Sequence, residues 1–367
     1  MKWASVLVVL GAAALARADD VSLDDFALFP NCMTGPDSSY PEDCDTYDFN
    51  GDLDVDLADM AGFQRAFGKS TPPQVVIDTV AVGNPGNAND THGDGYGGVD
   101  YVYRIGKYEV TAGQYTEFLN AVAATDTYGL YNPSMDSNSF GCQITQNGIS
   151  GSYTYDFSGR PSGTEADWLD RPVNIVSWGD AARFTNWLHN GQPTGSQDLT
   201  TTEDGSYFLN GAMSTAELVD IEREPDATWV IPSEDEWYKA AYHYNDGVTG
   251  NYFDYPTSSD SVPSNDLVDP DPGNNATVID NDDTIGSPYY RTVVGAHQCS
   301  YSPYGTFDQG GNVYEWNEDV VFDSFRGLRG GSFAGGIGRG FLHAAARTGH
   351  SPTIEFSTRG FRVAEIP

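Results

Sequence analysis

Apolar side chains recur at helical spacing in three parts of the chain, and each pattern predicts a helix with one buried face. One helix is expected over residues 177–188, a second begins at Ser233, and a third follows Thr111. Ser233 and Glu236 have the spacing of a capping box, which marks the start of the second helix. The apolar positions are Trp178, Ala181, Ala182, Phe184, Trp187 and Leu188 in the first helix, Trp237, Ala240 and Ala241 in the second, and Tyr115, Phe118 and Leu119 in the third.

Outside these helices, the chain from Val75 onward alternates short apolar runs with loops rich in glycine and asparagine. The whole chain has 41 glycines, and 13% of its residues are aromatic. Short strands separated by such loops, with only a few helices, are typical of the α+β class. We therefore expect an α+β domain with low regular secondary structure.

The first residues have the pattern of a signal peptide. Lys2 is followed by an apolar run over 3–15 and by the small-x-small sequence of Ala16, Arg17 and Ala18. The run is shorter than the roughly 20 residues that a membrane-spanning helix needs, and no later segment is long and apolar enough. We expect residues 1–18 to be removed and the mature chain to be secreted, either to the periplasm or outside the cell.

An internal repeat follows, because the pattern of residues 20–29 recurs at 54–63. Oxygen-bearing side chains precede and enter the second copy with the spacing of an EF-hand calcium loop, and a helix over 57–67 would follow them. The candidate calcium ligands are Asp48, Asn50, Asp52, Asp54, Asp56 and Asp59.

This loop departs from the EF-hand pattern at two positions, since Leu53 stands where glycine is expected and Asp59 where glutamate is. With aspartate at its end, the loop resembles that of dockerin modules. The resemblance implies a small α-helical module at 19–69, joined by a linker at 70–75 to a large domain at 76–367. Two roles stay open for it: a calcium-stabilised stalk, which we favour, and docking to a cohesin-like partner.

The formal net charge is −35, with only 18 lysines and arginines. Binding to phosphates requires clustered basic side chains, so we expect neither nucleic acid nor an anionic membrane as a partner. Calcium is the partner that such a surface favours, although acidity also simply keeps an extracellular protein soluble.

Four cysteines suit an oxidising compartment and allow three pairings. Cys32 and Cys44 lie close together in the sequence and are expected to form a disulfide that closes a short loop. Cys142 and Cys299 would then form a long-range disulfide inside the large domain. The alternative is a reactive pair, although no Cys-x-x-Cys spacing is present.

Six short motifs of the large domain occur in an order that resembles the formylglycine-generating, sulfatase-modifying factor family. The resemblance covers nearly all of residues 76–367 and implies a C-type-lectin-like α+β fold of low secondary-structure content. The motifs lie at 105–111, 171–174, 231–237, 311–316, 328–333 and 360–364.

The same resemblance implies a structural calcium site in the loop over 308–315. Its ligands would be the side chains of Asp308 and Glu315 and the backbone carbonyls of Gly311 and Val313. Two carboxylates at the ends of a glycine-containing turn can converge on one hard cation, which agrees with this assignment.

The chemistry of the family is missing from this chain. Family enzymes bind copper through two cysteines that follow the Gly-Gly-Ser-aromatic run, and those positions read Gly335 and Gly340 here, or Arg339 in the other alignment register. Ser332 is retained, whereas Tyr314 stands where the family has tryptophan. Without thiolates there is no soft ligand for Cu(I) and no thiol to activate.

We therefore expect a secreted, calcium-binding protein whose large domain is no cysteine oxidase and binds a peptide or a glycan. The groove candidates are Tyr314, Ser332 and Arg339. One alternative is an enzyme with another metal in the same groove, since His343 and His350 flank it. The other alternative is a structural component of an extracellular assembly, docked through the N-terminal module.

Overall fold

The computed structural model divides the chain into two units, Met1–Gln74 and Val75–Pro367. In the second unit it describes residues 75–92, 95–335 and 338–367. In the first unit it describes residues 32–34, 44, 47, 54, 55, 59 and 74. The expected signal peptide, the helix over 57–67 and most of the dockerin-like loop lie outside the described residues.

Helices in the second unit include the three that the sequence predicts, which begin at Ala112, Trp178 and Glu234. Each is preceded by a capping box, formed by Thr111 with Gln114, Ser177 with Asp180 and Ser233 with Glu236. The helices are α1 (Ala112–Val122), α2 (Ser134–Ser137), α3 (Ala166–Leu169), α4 (Trp178–His189), α5 (Thr215–Val219) and α6 (Glu234–Tyr242), and a 3-10 helix spans Gly338–Leu342.

In the described part of the second unit, short strands form two four-stranded sheets and two hairpins. The strands are β1 (Thr79–Val82), β2 (Tyr103–Gly106), β3 (Thr145–Asn147), β4 (Thr154–Asp156), β5 (Trp229–Val230), β6 (Ile279–Asp280), β7 (Asp282–Asp283), β8 (Tyr314–Val321), β9 (Phe325–Arg329), β10 (Thr348–His350), β11 (Arg359–Gly360) and β12 (Ala364–Glu365). One sheet has the order β1-β2-β12-β5, the other β10-β9-β8-β11, and β3-β4 and β6-β7 are the hairpins. All pairs are antiparallel except β11 with β8.

Aromatic side chains from α1 and α4 form the centre of the core. The Phe118 ring lies 5.3 Å from both Phe184 and Trp187, and Phe361 contacts Phe184 at 5.4 Å. Burying one such side chain stabilises the fold by about 1.5–3 kcal/mol. The core therefore joins the two long helices to the C-terminal motif at 360–364, which the sequence places far from both.

The two predicted disulfides have different outcomes. Cys32 and Cys44 are bonded, as expected. The prediction for Cys142 and Cys299 was wrong, because both are free thiols in the structure. Cys142 is buried in the core beside the Asn174 carbonyl, whereas Cys299 is exposed.

Among the described residues, no helix is both long and apolar enough to cross a membrane.

Candidate functional site

The 331–333 segment follows β9 and is held against the loop that precedes β8. Gly330 and Gly331 have φ values of +92° and +74°, in the left-handed region that favours glycine. A side chain at Gly330 would place its Cβ 2.7 Å from the carbonyl oxygen of Gln309. The Phe333 N–H donates to the Asn312 carbonyl over 2.8 Å. Glycines are therefore required for the close approach of the two loops.

Ser332 is buried, and its hydroxyl donates to the Ala334 carbonyl over 2.6 Å. The chain then reaches Gly335, which is exposed at φ +144°, and a Cβ there would meet no atom within 4 Å. Gly340, in the 3-10 helix, is also exposed. Gly335 and Gly340, where the family resemblance implies cysteines, are thus exposed glycines with no side chain that could bind a metal.

Aromatic side chains contact the 331–333 segment at both ends. The Phe333 ring lies 5.9 Å from Phe140 and 6.3 Å from Tyr290. At the other end, a Cβ on Gly331 would lie 3.4 Å from the Cβ of Phe341. Phe341 in turn packs edge-on against Tyr314, with ring centroids 5.6 Å apart. The outer rings, those of Phe140, Tyr290, Tyr314 and Phe341, are all half-buried.

Tyr314 is the first residue of β8 and is paired with Arg359 of β11 in parallel register. Burial raises the pKa of Tyr314 to about 12, and the nearby Arg359 opposes this shift. Burial also lowers the pKa of Arg359 to about 10. The guanidinium of Arg359 lies 4.5 Å from the centre of the Phe356 ring, which is itself exposed.

Arg339 is positioned differently from the other two predicted groove residues. Its Nη2 forms an ion pair with Asp280 Oδ2 over 2.8 Å, and its Nη1 donates to the Pro263 carbonyl over 3.3 Å. The side chain therefore joins the 3-10 helix to β6. In contrast, Tyr314 packs against Phe341, and Ser332 lies next to Phe333, whose N–H donates to the Asn312 carbonyl.

The two predicted carboxylate ligands at 308–315 are both buried. Glu315 accepts hydrogen bonds from Arg362, with Nη2 2.7 Å from Oε1 and Nε 2.5 Å from Oε2. Its Oε2 also accepts from Trp237 Nε1 over 2.7 Å. Glu315 is therefore already neutralised by a buried guanidinium.

Asp308 accepts the Gly295 N–H over 2.6 Å, and burial raises the pKa of Asp308 to about 6. A third carboxyl group, Glu109, is buried nearby, and desolvation together with Asp308 and Glu315 raises its pKa well above the usual range. Three carboxyl groups thus share Arg362 as a neighbouring cation. Sequence reasoning missed Glu109 as part of this cluster, although its acidic side chain interrupts an apolar run.

The set of donors at 308–315 fits a calcium ion in part. Asp308 offers a carboxylate, and the surplus of buried acid over base favours a cation. Glu315 already accepts three hydrogen bonds, which leaves fewer of its oxygen lone pairs for coordinating an ion. Among the described residues, no three His, Cys, Asp or Glu side chains lie together so that they could hold a metal.

The two predicted EF-hand ligands that the structure describes, Asp54 and Asp59, are buried. Asp48, Asn50, Asp52 and Asp56 lie outside the described residues.

The histidines that flank the groove have different neighbours. His343 packs against Tyr255, and its Nε2 lies 3.9 Å from Asp254 Oδ2, while His92 Nε2 lies 3.1 Å from the other carboxylate oxygen, Oδ1. His350 stacks on Phe325, with ring centroids 5.8 Å apart.

A pair of carboxyl groups that the sequence does not reveal lines a cavity of about 150 Å³ at the start of α4. Asp180 is fully buried there, and desolvation followed by the charge of Glu355 raises its pKa well above the usual range. Glu355 lines the same cavity, burial raises its pKa as well, and its Oε2 accepts a hydrogen bond from Asn132 over 2.6 Å. Asp180 is the carboxyl group of the two whose pKa is raised more strongly.

Comparison with known families supports the fold and the motifs together. The profile of the Sulfatase-modifying factor enzyme 1-like domain, FGE-sulfatase, matches residues 99–366. The chain belongs to this family.

Several solved structures are similar to this chain at low identity. CarF is 20% identical, with 80% of this chain and 100% of CarF covered and a TM-score of 0.46. Treponema denticola variable protein 1 is 19% identical, with coverage of 81% and 97% and a TM-score of 0.45. PvdO from Pseudomonas aeruginosa is 19% identical, with coverage of 80% and 93% and a TM-score of 0.40. Comparison with curated proteins gave no match.

Proposed function

We propose that the large domain is a secreted peptide-binding module that has no cysteine oxidase activity. The observation that carries this proposal is the position of the 331–333 segment between two groups of half-buried aromatic rings. Ligand-binding grooves are lined mainly by apolar and aromatic side chains, which half-buried rings on both sides of a backbone segment can provide. The ligand would lie against Phe140 and Tyr290 at one end and against Tyr314 and Phe341 at the other.

The groove favours a peptide over a glycan. A sugar is held by a dense set of polar side chains, and here the Ser332 hydroxyl is committed to Ala334 and the Arg339 guanidinium to Asp280. The remaining surface is mostly phenyl and phenol rings, which suit the apolar side chains of an extended peptide.

Loss of the oxidase chemistry is supported by the backbone at Gly335. A φ of +144° is a conformation that a cysteine rarely adopts, so restoring a thiol there would strain the loop. Of the two free thiols in the large domain, that of Cys142 is buried, and desolvation raises its pKa. A thiol in such a position is a poor nucleophile and a poor metal ligand.

We also propose calcium as a structural ion of this protein, at Asp308 in the large domain and in the N-terminal loop over 48–59. The support is the surplus of buried carboxyl groups around Arg362 and the spacing of the N-terminal acidic side chains. The N-terminal module would serve as a calcium-stabilised stalk. Deleting residues 19–70 should then leave the thermal transition of the large domain in place.

The proposed function is tested with the mature protein on arrays of peptides and of glycans. Saturable binding to peptides is expected, and Tyr314→Ala and Phe341→Ala should each weaken it. Phe208→Ala removes a phenyl ring that is 47% exposed elsewhere on the surface and should leave binding unchanged. Absence of saturable binding to any peptide would refute the proposal.

The absence of oxidase activity has its own assay. The protein is incubated with copper, oxygen and cysteine-containing peptides, and the peptides are examined by mass spectrometry. No loss of the cysteine sulfur is expected. Conversion to an aldehyde would show that an oxidase mechanism survives.

A further inference from the structure

Among the arginines that the structure describes, Arg359 is the one whose side chain forms neither a hydrogen bond nor an ion pair. In the part of the chain that the structure describes, each of the other arginines forms a hydrogen bond or an ion pair. The Nε and Nη1 atoms of Arg359 are buried and have no hydrogen-bond partner there. Arg359 as a whole is half-buried, but two buried N–H-bearing atoms without a partner are unfavourable and need an explanation.

The surroundings of Arg359 supply no anion. No ion pair of Arg359 is present among the described residues, and its neighbours are the Tyr314 ring, the Phe356 ring and the imidazole of His350. His350 cannot supply an anion, because an imidazole is neutral or cationic; its Nδ1 accepts the Ser351 N–H, and burial and Arg359 both lower its pKa. In a protein with a net charge of −35, this is a local site of positive charge.

The aromatic frame of the site is continuous with the proposed groove. Tyr314 belongs to both, since it contacts Phe341 on one side and pairs with Arg359 on the other. On the far side of Arg359, Phe356 is 51% exposed, and its ring lies 6.2 Å from that of His350. A ligand in the groove that reaches past Tyr314 would meet the guanidinium.

We propose that Arg359 binds a carboxylate of the peptide that occupies the groove, while Tyr314 and Phe356 contact the adjacent apolar side chain. This inference rests on the proposed peptide-binding function and names the chemistry of the ligand. A guanidinium presents several N–H groups in a planar fork that matches the two oxygens of a carboxylate. The carboxylate of the expected peptide therefore lies next to a bulky apolar residue. It is either the C-terminal carboxylate or the side chain of an aspartate or glutamate.

The test uses the ¹⁵N resonance of the Arg359 Nε–H group, assigned by its loss in Arg359→Lys. The probes are N-acetylphenylalanine, its neutral amide and glucuronate, titrated separately into the mature protein. We expect the acid to shift the Arg359 resonance saturably and to bind at least about tenfold more tightly than the amide.

Variants give an independent readout of the same contact. Arg359→Gln should weaken binding of N-acetylphenylalanine about tenfold or more, whereas Arg104→Gln, which removes an exposed arginine on β2, should not change it. Thermal melting of each variant shows whether it is folded, and Arg359→Lys keeps the charge if Arg359→Gln does not fold.

Four outcomes would overturn the inference. Equal binding of the acid and the amide would mean that the carboxylate is not recognised. An Arg359 resonance that neither probe shifts would mean that Arg359 is hydrogen-bonded to water alone. Tighter binding of glucuronate than of N-acetylphenylalanine would point to an acidic glycan instead. If array peptides bind but do so without dependence on Arg359, the proposed function stands and this inference fails.

Discussion

Arg359 and Tyr314 lie directly opposite each other where β11 joins β8, in the parallel strand pair of the C-terminal sheet. This pairing places an unpaired guanidinium beside a half-buried phenol ring at the end of the candidate groove. The core fixes both strands, since Trp316 of β8 and Phe361, which directly follows β11, are fully buried. The position of Arg359 is therefore set by the fold and not by a flexible loop.

Replacing Arg359 should stabilise the free protein. The Nε and Nη1 atoms of Arg359 are buried without hydrogen-bond partners, which is unfavourable, so Arg359→Met is expected to raise the free energy of unfolding by about 1 kcal/mol. Urea denaturation measures the difference. Arg104→Met serves as the control, because its surface ion pair should change stability by less than about 0.5 kcal/mol. A marked loss of stability in Arg359→Met would mean that Arg359 has a structural role.

The opposite result is expected at the buried ion pair of Arg183 and Glu203. Arg183 donates to Glu203 from Nε over 2.7 Å and from Nη2 over 3.0 Å, and both side chains are buried. Glu203→Gln would leave the guanidinium without its countercharge and should destabilise the protein by about 3–5 kcal/mol. Glu365→Gln, in the exposed pair with Arg104, is the matched control. Similar urea midpoints for the two variants would contradict this account.

The carboxyl pair of Asp180 and Glu355 predicts a pH dependence of stability. The folded pKa of Asp180 is raised, so its contribution is fully present below the usual carboxyl pKa and is lost as the pH rises through the folded value. The free energy of unfolding of the wild type, relative to Asp180→Asn, should therefore fall with rising pH across that window.

Asp198 provides a control of opposite sign for this measurement. Hydrogen bonds from Thr200 lower the pKa of Asp198, so its contribution is present above the usual pKa and is lost as the pH falls. Urea denaturation of Asp180→Asn and Asp198→Asn across the pH range, each compared with the wild type, tests the two trends together. Parallel pH profiles for the wild type and Asp180→Asn would show that Asp180 is not the protonated group.

Gly330 should tolerate no side chain. Its φ of +92° and the 2.7 Å approach of its Cβ to the Gln309 carbonyl both oppose Gly330→Ala, which we expect to destabilise the protein by about 2–4 kcal/mol. Gly86→Ala is the matched control, since Gly86 has φ +80° but no atom within 4 Å of its Cβ. Gly86→Ala should lose only the stability that results from placing alanine at a positive φ, about 1 kcal/mol. Equal losses would mean that the two loops can move apart.

Removal of calcium should lower the melting temperature of the mature protein. A ligand that binds only the folded state stabilises it, so chelation by EDTA is expected to lower the transition and added calcium to restore it. Asp308→Asn should reduce the effect in the large domain. If chelation leaves the melting temperature unchanged and elemental analysis finds no calcium, then calcium is not a structural ion of this protein.

Local patterns in the sequence predicted local structure well. The capping boxes at Ser177 and Ser233 act within four residues, and both helices begin where the sequence predicts. The family motifs likewise predicted the α+β domain that the profile match supports.

Contacts between distant parts of the chain were predicted less well. The pairing of Cys142 with Cys299 was wrong, because sequence does not reveal that one is buried in the core and the other exposed. For the same reason, the meeting of Asp180 with Glu355 and the isolation of Arg359 could not be predicted. Each depends on which of many similar side chains the fold brings within hydrogen-bond distance.

The central claim is that this member of the sulfatase-modifying factor family binds a carboxylate-bearing peptide through Arg359 and Tyr314. Titration of N-acetylphenylalanine and its amide into ¹⁵N-labelled protein, observed at the Arg359 Nε–H resonance, tests it most directly. A saturable shift with the acid, and at most a weak one with the amide, is the predicted result. A resonance that responds to neither probe, or equally to both, would contradict the claim.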